Sequence, residues 1–99
     1  MIQITSQNFD EEILQSKIPV LLLWSAPMDM NSTVMYLAMQ REQNNPKFKV
    51  ANVVVNENPE LALKYSIRDL PYVVGFESGM VASEARSIKE LEGMMKYYA

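Results

Sequence analysis

The sequence predicts an α/β protein in which a central mixed β-sheet is flanked by helices. Stretches with strand-like and helix-like patterns alternate along the chain, which favours parallel pairing of the strands. One stretch, Pro19 to Trp24, is apolar at every position, as in a central strand buried on both faces. Near the C-terminus, two strand-like stretches are separated only by Glu77-Ser78-Gly79, which predicts an antiparallel hairpin.

The predicted elements follow one another without a linker or a repeat. The strands are predicted at residues 3–5, 19–24, 48–55, 72–76 and 80–83. The helices are predicted at residues 6 or 7 to 16, about 30–44, 58 to about 65, and from Ser87 onward, where Ser87 and Glu90 form a capping box. The 99 residues suffice for one core, so we expect a single domain over residues 1–99.

The second helix carries one stripe at helical spacing in its sequence pattern. The stripe consists of Val34, Leu37, Ala38 and Arg41, and Met35 and Met39 lie beside it. Core filling is the preferred interpretation of Met35 and Met39, as it is of Met94 and Met95.

Composition excludes several classes of function. The chain contains no cysteine and no histidine, which removes thiol redox chemistry, cysteine nucleophiles and zinc sites of the Cys/His type. The net charge is −3 and no dense Lys/Arg cluster is present, so nucleic acid is not an expected partner. The longest apolar run is far shorter than a membrane span, and no secretory signal pattern is seen, so we expect a cytoplasmic protein without membrane contact.

Several segments occur in the order and spacing of one known family and together cover nearly the whole chain. They are Asn8-Phe9-Asp10-Glu11-Glu12, Pro19-Val20-Leu21, Trp24-Ser25-Ala26-Pro27, residues 55–62, residues 64–71 and the hairpin turn Glu77-Ser78-Gly79. On these residues the chain resembles the thioredoxin family. The resemblance implies the thioredoxin-like fold, in which a central mixed β-sheet is flanked by helices.

The resemblance also locates where the family's redox motif has been replaced. The Cys-Gly-Pro-Cys of the family falls on Asp29, Met30, Asn31 and Ser32. A carboxylate cannot attack a disulfide to form a mixed disulfide, so this replacement removes the family's reaction. We therefore expect a redox-inactive protein, not an enzyme, without a cofactor.

The neighbours of the motif depart from the family together with it. The resemblance implies that a buried acid falls at Leu23, a lysine near it at Asn52, and two tryptophans at Ser25 and Met28. Because these supporting residues have changed as well, the chain does not look like an active enzyme with a single inactivating substitution.

Asp29 has two interpretations. At a helix N-terminus its carboxylate would cap free N–H groups and favour the helix dipole, which stabilises by ~0.5–2 kcal/mol relative to Ala. Alternatively it would be a catalytic acid or a metal ligand, but no second carboxylate is near it in sequence and Ser32 has no His or Lys partner in the motif. Capping is the preferred interpretation, and no metal site is predicted.

The surface around the former motif is the predicted binding face for a protein partner. It consists of Met28, Met30, Leu70 and Pro71. Exposed methionines adapt to varied protein surfaces. The resemblance implies that Pro71 is a cis-proline and that the family pairs this backbone with an extended substrate segment.

Two alternatives stay open from the sequence. One is a non-thiol enzyme or a metal-binding protein that uses Asp29, Met28 and Met30, since thioethers suit soft metals such as Cu(I). The other is a structural subunit of a homo-oligomer, for instance a homodimer. The sequence does not name a partner.

Overall fold

A computed structural model describes residues 1–99 and contains a five-stranded sheet in the order β1-β3-β2-β4-β5. The strands are β1 (Ile2–Gln3), β2 (Val20–Ser25), β3 (Lys49–Val54), β4 (Tyr72–Glu77) and β5 (Met80–Ala85). The α-helices are α1 (Met30–Gln40), α2 (Pro59–Lys64) and α3 (Ile88–Tyr98). Strands β1, β3 and β2 pair in parallel, whereas β2, β4 and β5 pair antiparallel, which confirms the mixed sheet.

Strand β2 lies in the middle of the sheet and is buried at every residue from Val20 to Ser25. Its neighbours on the two sides are β3 and β4, so both edges of the strand are paired. The apolar run that predicted a fully buried strand is therefore confirmed.

The sheet separates two apolar clusters, one on each face. One cluster contains alternate β2 residues such as Leu22 and Trp24, packed with residues of the π-helical turn Asp10–Leu14 and of α2. The other contains Leu21 and Leu23, packed with residues of α1 and α3. Because side chains alternate along a strand, one apolar strand supplies both clusters.

Two helices are shorter than the sequence pattern predicted. The first is reduced to the π-helical turn Asp10–Leu14. Helix α1 ends at Gln40, not at Asn44, and the chain continues in tight turns with bonds such as Glu42 N–H to the Met39 carbonyl (2.9 Å). These turns lead into Pro46, which cannot continue a helix and disfavours helical geometry in the residue before it. None of the helices has the length and apolar character needed to cross a membrane.

The core interpretation of Met35 and Met39 is confirmed, and of the predicted stripe on α1 only Ala38 packs against the apolar cluster on that face of the sheet. Val34 and Leu37 are about half exposed (50% and 51%), while Met35 and Met39 are buried. The helix has apolar residues on opposite sides, and the methionines fit the space between α1 and the sheet. Thioether side chains are unbranched and flexible, so they fill such irregular space well.

The turn Ser78-Gly79 connects β4 and β5 as predicted, with positive φ at both residues (52° and 79°). Such turns match the right-handed twist of a hairpin. A Cβ at Gly79 would approach the carbonyl oxygen of Leu14 to 2.6 Å, so glycine is required there for space as well as for conformation. At the start of α3, Glu90 N–H donates to Ser87 Oγ (3.2 Å) and Arg86 N–H donates to Glu90 Oε1 (2.7 Å).

The orientation of α1 is testable by two substitutions on its opposite sides. Met39→Ala removes a fully buried side chain, and we expect it to lower the free energy of unfolding by about 2–5 kcal/mol. Leu37→Ala is the matched control, because Leu37 is half exposed, and we expect a loss below about 1 kcal/mol. Urea denaturation followed by Trp24 fluorescence measures both. A larger loss for Leu37→Ala than for Met39→Ala would show that the helix is rotated the other way.

Candidate functional site

Asp29 caps the N-terminus of α1 with both oxygens of its carboxylate. Its Oδ1 accepts a hydrogen bond from the backbone N–H of Asn31 (3.1 Å), and its Oδ2 accepts one from Ser32 Oγ (3.0 Å). Its carbonyl oxygen accepts the N–H of Thr33 (3.0 Å), which begins the helical pattern. The carboxylate therefore satisfies a free N–H group and places negative charge at the positive end of the helix.

Ser32 is buried, with 2% of its surface exposed, and its hydroxyl points to Asp29. The two positions that the resemblance assigns to the attacking and resolving cysteines are thus in direct contact. No histidine exists in the chain, and the hydroxyl bonds to no lysine. A serine hydroxyl needs a strong adjacent base to act as a nucleophile, and the carboxylate, itself occupied in capping, is the one group it contacts.

Met28 and Met30 stand in solvent on either side of Asp29. Met28 is 100% exposed and Met30 is 78% exposed. Met28 also adopts a left-handed backbone conformation with φ of 63°. Few residues other than glycine adopt this conformation, which costs about 1–2 kcal/mol. A fully exposed apolar side chain on such a backbone gains nothing from packing within the chain.

Leu70 and Pro71 directly precede β4, and the peptide bond between them is cis. Pro71 is buried and lines a shallow groove of about 230 Å³. The other residues of this groove are Asn31, Val34, Met35, Arg86, Ser87 and Ile88. Leu70 instead borders a second depression of about 370 Å³ with Val55, Ala62, Leu63 and Ile67 among its neighbours. The structure therefore places Pro71 beside the first turns of α1. Leu70 faces the separate depression beside α2 instead.

The positions that the resemblance assigns to the buried acid and its lysine are neighbours in the sheet. Leu23 pairs with Asn52 in the parallel β2–β3 ladder. In place of a charged pair, Asn52 accepts a hydrogen bond at Oδ1 from Ser25 Oγ (2.8 Å) and donates one from Nδ2 to Gln3 Oε1 (3.1 Å). The chain of bonds continues from Gln3 Nε2 to Tyr36 OH (3.4 Å).

This polar chain below the site was not foreseen as a unit. Ser25 and Asn52 were noted only as departures from the family, although each is a polar residue at a buried strand position. That pattern is the signal that could have paired them, because buried polar groups need hydrogen-bond partners. Ser25 and Ser32 line a small depression of about 130 Å³ together with Ala26, Thr33 and Tyr36.

Tyr72, directly after Pro71, has a protonated phenol at neutral pH. Burial raises its pKa above the ordinary value of 10.0, and Glu84 raises it further through a hydrogen bond from Tyr72 OH to Glu84 Oε2 (2.6 Å). The guanidinium of Arg86, 4.1 Å from the ring centre, partly offsets this effect. A phenol that stays neutral is a hydrogen-bond donor and not a general base.

The site offers little for a metal ion. The chain contains no group of three or more Asp, Glu, His or Cys residues placed to hold one. At the former motif, the available donors are the two exposed thioethers of Met28 and Met30 and a carboxylate already engaged by two hydrogen bonds.

Comparison with known proteins gives a consistent result. The sequence model of the family described as Thioredoxin matches residues 1–99. Among curated proteins, the chain is 34% identical over 80 residues to a thioredoxin of Rickettsia bellii (strain RML369-C), covering 77% of this chain and 74% of that protein. It is 35% identical over 81 residues to thioredoxin 1 of Nostoc sp. (strain PCC 7120), covering 78% and 74%. It is 31% identical over 97 residues to a thioredoxin of Buchnera aphidicola subsp. Acyrthosiphon pisum, covering 93% and 88%.

The capping role of Asp29 predicts a graded effect of substitution. We expect Asp29→Ala to lower the free energy of unfolding by about 0.5–2 kcal/mol, because the N–H of Asn31 and the hydroxyl of Ser32 lose their acceptor. Asp29→Asn keeps a capping oxygen and is expected to lose less. Asp69→Ala is the control, since Asp69 is exposed and lies outside every helix and strand. Urea denaturation measures all three, and equal stability of Asp29→Ala and wild type would contradict the capping role.

Proposed function

Because the chain belongs to the thioredoxin family while its sequence contains no cysteine, we propose that it is a redox-inactive member that binds another protein. The proposed binding face consists of Met28, Met30, Leu70 and Pro71. The observation that carries the proposal is that Met28 is completely exposed and Met30, two residues away, is largely exposed.

The chemistry at the former motif supports a change of role. The family's reaction requires a thiolate that attacks a disulfide and a second thiol that resolves the mixed disulfide. Here a carboxylate and a hydroxyl occupy those two positions and are hydrogen-bonded to each other. What remains is a helix N-terminus at which Asp29 already accepts the hydrogen bonds of Asn31 N–H and Ser32 Oγ.

The exposed methionines support a binding role in place of the reaction. Their side chains are apolar and flexible, and such side chains mould themselves to partners of varied shape. Exposed apolar patches on folded proteins mark interaction surfaces. The left-handed backbone at Met28 adds to this argument, since a strained residue that packs against nothing within the chain suggests a use outside it.

The groove at Pro71 fits a protein segment better than a small molecule. The groove at Pro71 has a volume of about 230 Å³, below the roughly 300–1,000 Å³ typical of small-molecule sites. The neighbouring depression at Leu70 is lined mainly by apolar residues and would take one side chain of a bound segment. An extended segment lying across Pro71 would reach both.

The loss of redox activity is testable with the purified protein. We expect the chain to accelerate the reduction of insulin disulfides by dithiothreitol no more than an equal amount of an unrelated protein does. Acceleration above that background would contradict the redox-inactive assignment.

A gain-of-disulfide variant tests whether residues 29 and 32 occupy the motif positions. Their side chains already meet, so we expect Asp29→Cys/Ser32→Cys to form an intramolecular disulfide under mild oxidation. Alkylation of free thiols before and after reduction measures it. Asp29→Cys/Met80→Cys is the control, since Met80 lies in the hairpin of β4 and β5. Persistent free thiols in the first variant, with no more disulfide than in the control, would contradict the assignment.

The binding face is testable by adding charge to it. The variant Met28→Asp/Met30→Asp should fold normally, because Asp tolerates a left-handed backbone and negative charge suits a helix N-terminus. Proteins captured from host lysate by wild type would be identified and purified, and dissociation constants measured by calorimetry. We expect the variant to weaken binding by about tenfold or more, which corresponds to about 1.4 kcal/mol.

The matched control for this experiment is Met80→Asp. Met80 is a methionine of similar exposure (72%) in the hairpin of β4 and β5. It should bind the partner as wild type does. If both variants bind equally well, the surface of Met28 and Met30 is not the interaction site.

A further inference from the structure

The outer side of α1 carries exposed apolar side chains in a row. Met30, Val34 and Leu37 are exposed and lie at intervals of four and three residues, which places them on one face of the helix. We call these three residues the outer stripe. At about 100° per residue, the stripe lies opposite the buried residues Met35 and Met39. A helix that is apolar on two opposite sides is typical of one that is packed on both sides.

The comparison with α3 shows how unusual this outer side is within the same chain. Both helices have 11 residues and each buries one side on the sheet. The exposed positions of α3 include Lys89, Glu90, Glu92 and Lys96, whereas α1 contains no charged residue between its two caps. The exposed surface of α3 combines these charges with Ile88 and Tyr97, whereas that of α1 combines apolar side chains with uncharged polar residues only.

Charges of opposite sign stand at the two ends of the outer stripe. Asp29 caps the N-terminal end, and Arg41 caps the C-terminal end on the same face as the stripe. Arg41 is exposed and makes no ion pair, since the ion pair in the chain joins Lys49 to Glu12. An apolar row with a negative end and a positive end is complementary to a second copy of the same row that runs in the opposite direction.

We propose that two copies of this chain associate through the outer stripe, with their α1 helices antiparallel about a two-fold axis. Such an axis places the same patch of both copies in contact, as in most protein dimers. The stripes would cover each other near Val34 and Leu37. At each end of the roughly 16 Å helix, Asp29 of one copy would meet Arg41 of the second copy.

A second pair of charges fits the same arrangement. Arg86 lines the groove with Asn31 and Val34 and so lies at the N-terminal end of the stripe. Glu42 follows Arg41 at the other end. Antiparallel packing brings Arg86 of one copy to the end that holds Glu42 of the second copy, and these opposite charges attract each other.

The expected dimer is weak, and it can be tested separately from the proposed protein binding. One helix face with its rim lies at the small end of protein interfaces, below about 1,200 Å² in total, where association is transient. Met30 belongs to both the outer stripe and the binding face, but Val34 and Leu37 belong only to the stripe. Variants at these two residues therefore test the dimer without changing Met28, Leu70 or Pro71.

Sedimentation equilibrium over a range from low to high micromolar concentration tests the association. We expect the wild-type mass to rise from monomer toward dimer, and Leu37→Asp to raise the dissociation constant by about tenfold or more. Met80→Asp, with the same change in charge at an exposed methionine elsewhere, should associate as wild type does. Val34→Asp gives a second reading of the stripe if Leu37→Asp fails the check of folding by circular dichroism.

Two results would overturn the proposal. One is a wild-type chain that stays monomeric at every concentration. If stripe variants then lose a captured protein, the stripe serves a different partner and the dimer is wrong. The other is a dimer that both stripe variants leave intact, since its interface would then lie elsewhere. Capture of a partner through Met28 and Met30 would stand in either case.

Cross-linking tests the antiparallel orientation, and the cysteine-free sequence gives a clean background for it. An equal mixture of Met30→Cys chains and Arg41→Cys chains is oxidised mildly and analysed by mass spectrometry. Antiparallel packing predicts that disulfides join one variant to the other. A predominance of Met30→Cys chains joined to one another indicates parallel packing and overturns the proposed arrangement.

Discussion

The burial of β2 on both faces is the constraint on which the rest of the structure depends. Six consecutive residues of this strand are removed from water, and each face needs its own apolar cover. The parallel pairing with β3 on one edge and the antiparallel pairing with β4 on the other follow from that position. The chain leaves the sheet after Ser25 and reaches the cap of α1 at Asp29, so the strand also fixes where the candidate site lies.

At that site, a carboxylate occupies the end of a helix that favours negative charge. A helix N-terminus stabilises an anion whether it is a thiolate or a carboxylate. A thiolate there is reactive, whereas the carboxylate of Asp29 accepts hydrogen bonds from Asn31 and Ser32 and stays as it is. The substitution therefore keeps the electrostatics of the helix start and gives up the chemistry. Below the site, the hydrogen bond from Ser25 to Asn52 joins two uncharged side chains. Both are buried, and the bond satisfies their polar groups.

The proposed protein binding and the proposed self-association share one residue, Met30. If both occur, a copy that covers Met30 in the dimer leaves less of the binding face to another protein, and a bound partner weakens the dimer. The coupling would be reciprocal, because each event changes the free energy of the other by the same amount. Such competition would make the binding of another protein depend on the concentration of this chain.

The sequence by itself determined which chemistry is missing and much of the architecture. The absence of Cys and His is a property of composition, and the central strand, the hairpin at Ser78-Gly79 and the caps of α1 and α3 depend on short local patterns. The sequence also indicated that Met35 and Met39 fill the core. Only the tertiary structure showed that Val34 and Leu37 lie on the opposite, exposed side of α1, because apolar residues lie on two sides of the helix and periodicity does not choose between them. Likewise the bond between Ser25 and Asn52 joins residues that are distant in the chain, and the pairing of β2 with β3 places them within reach. Local pattern specifies an element, but the direction in which it faces is set by what packs against it.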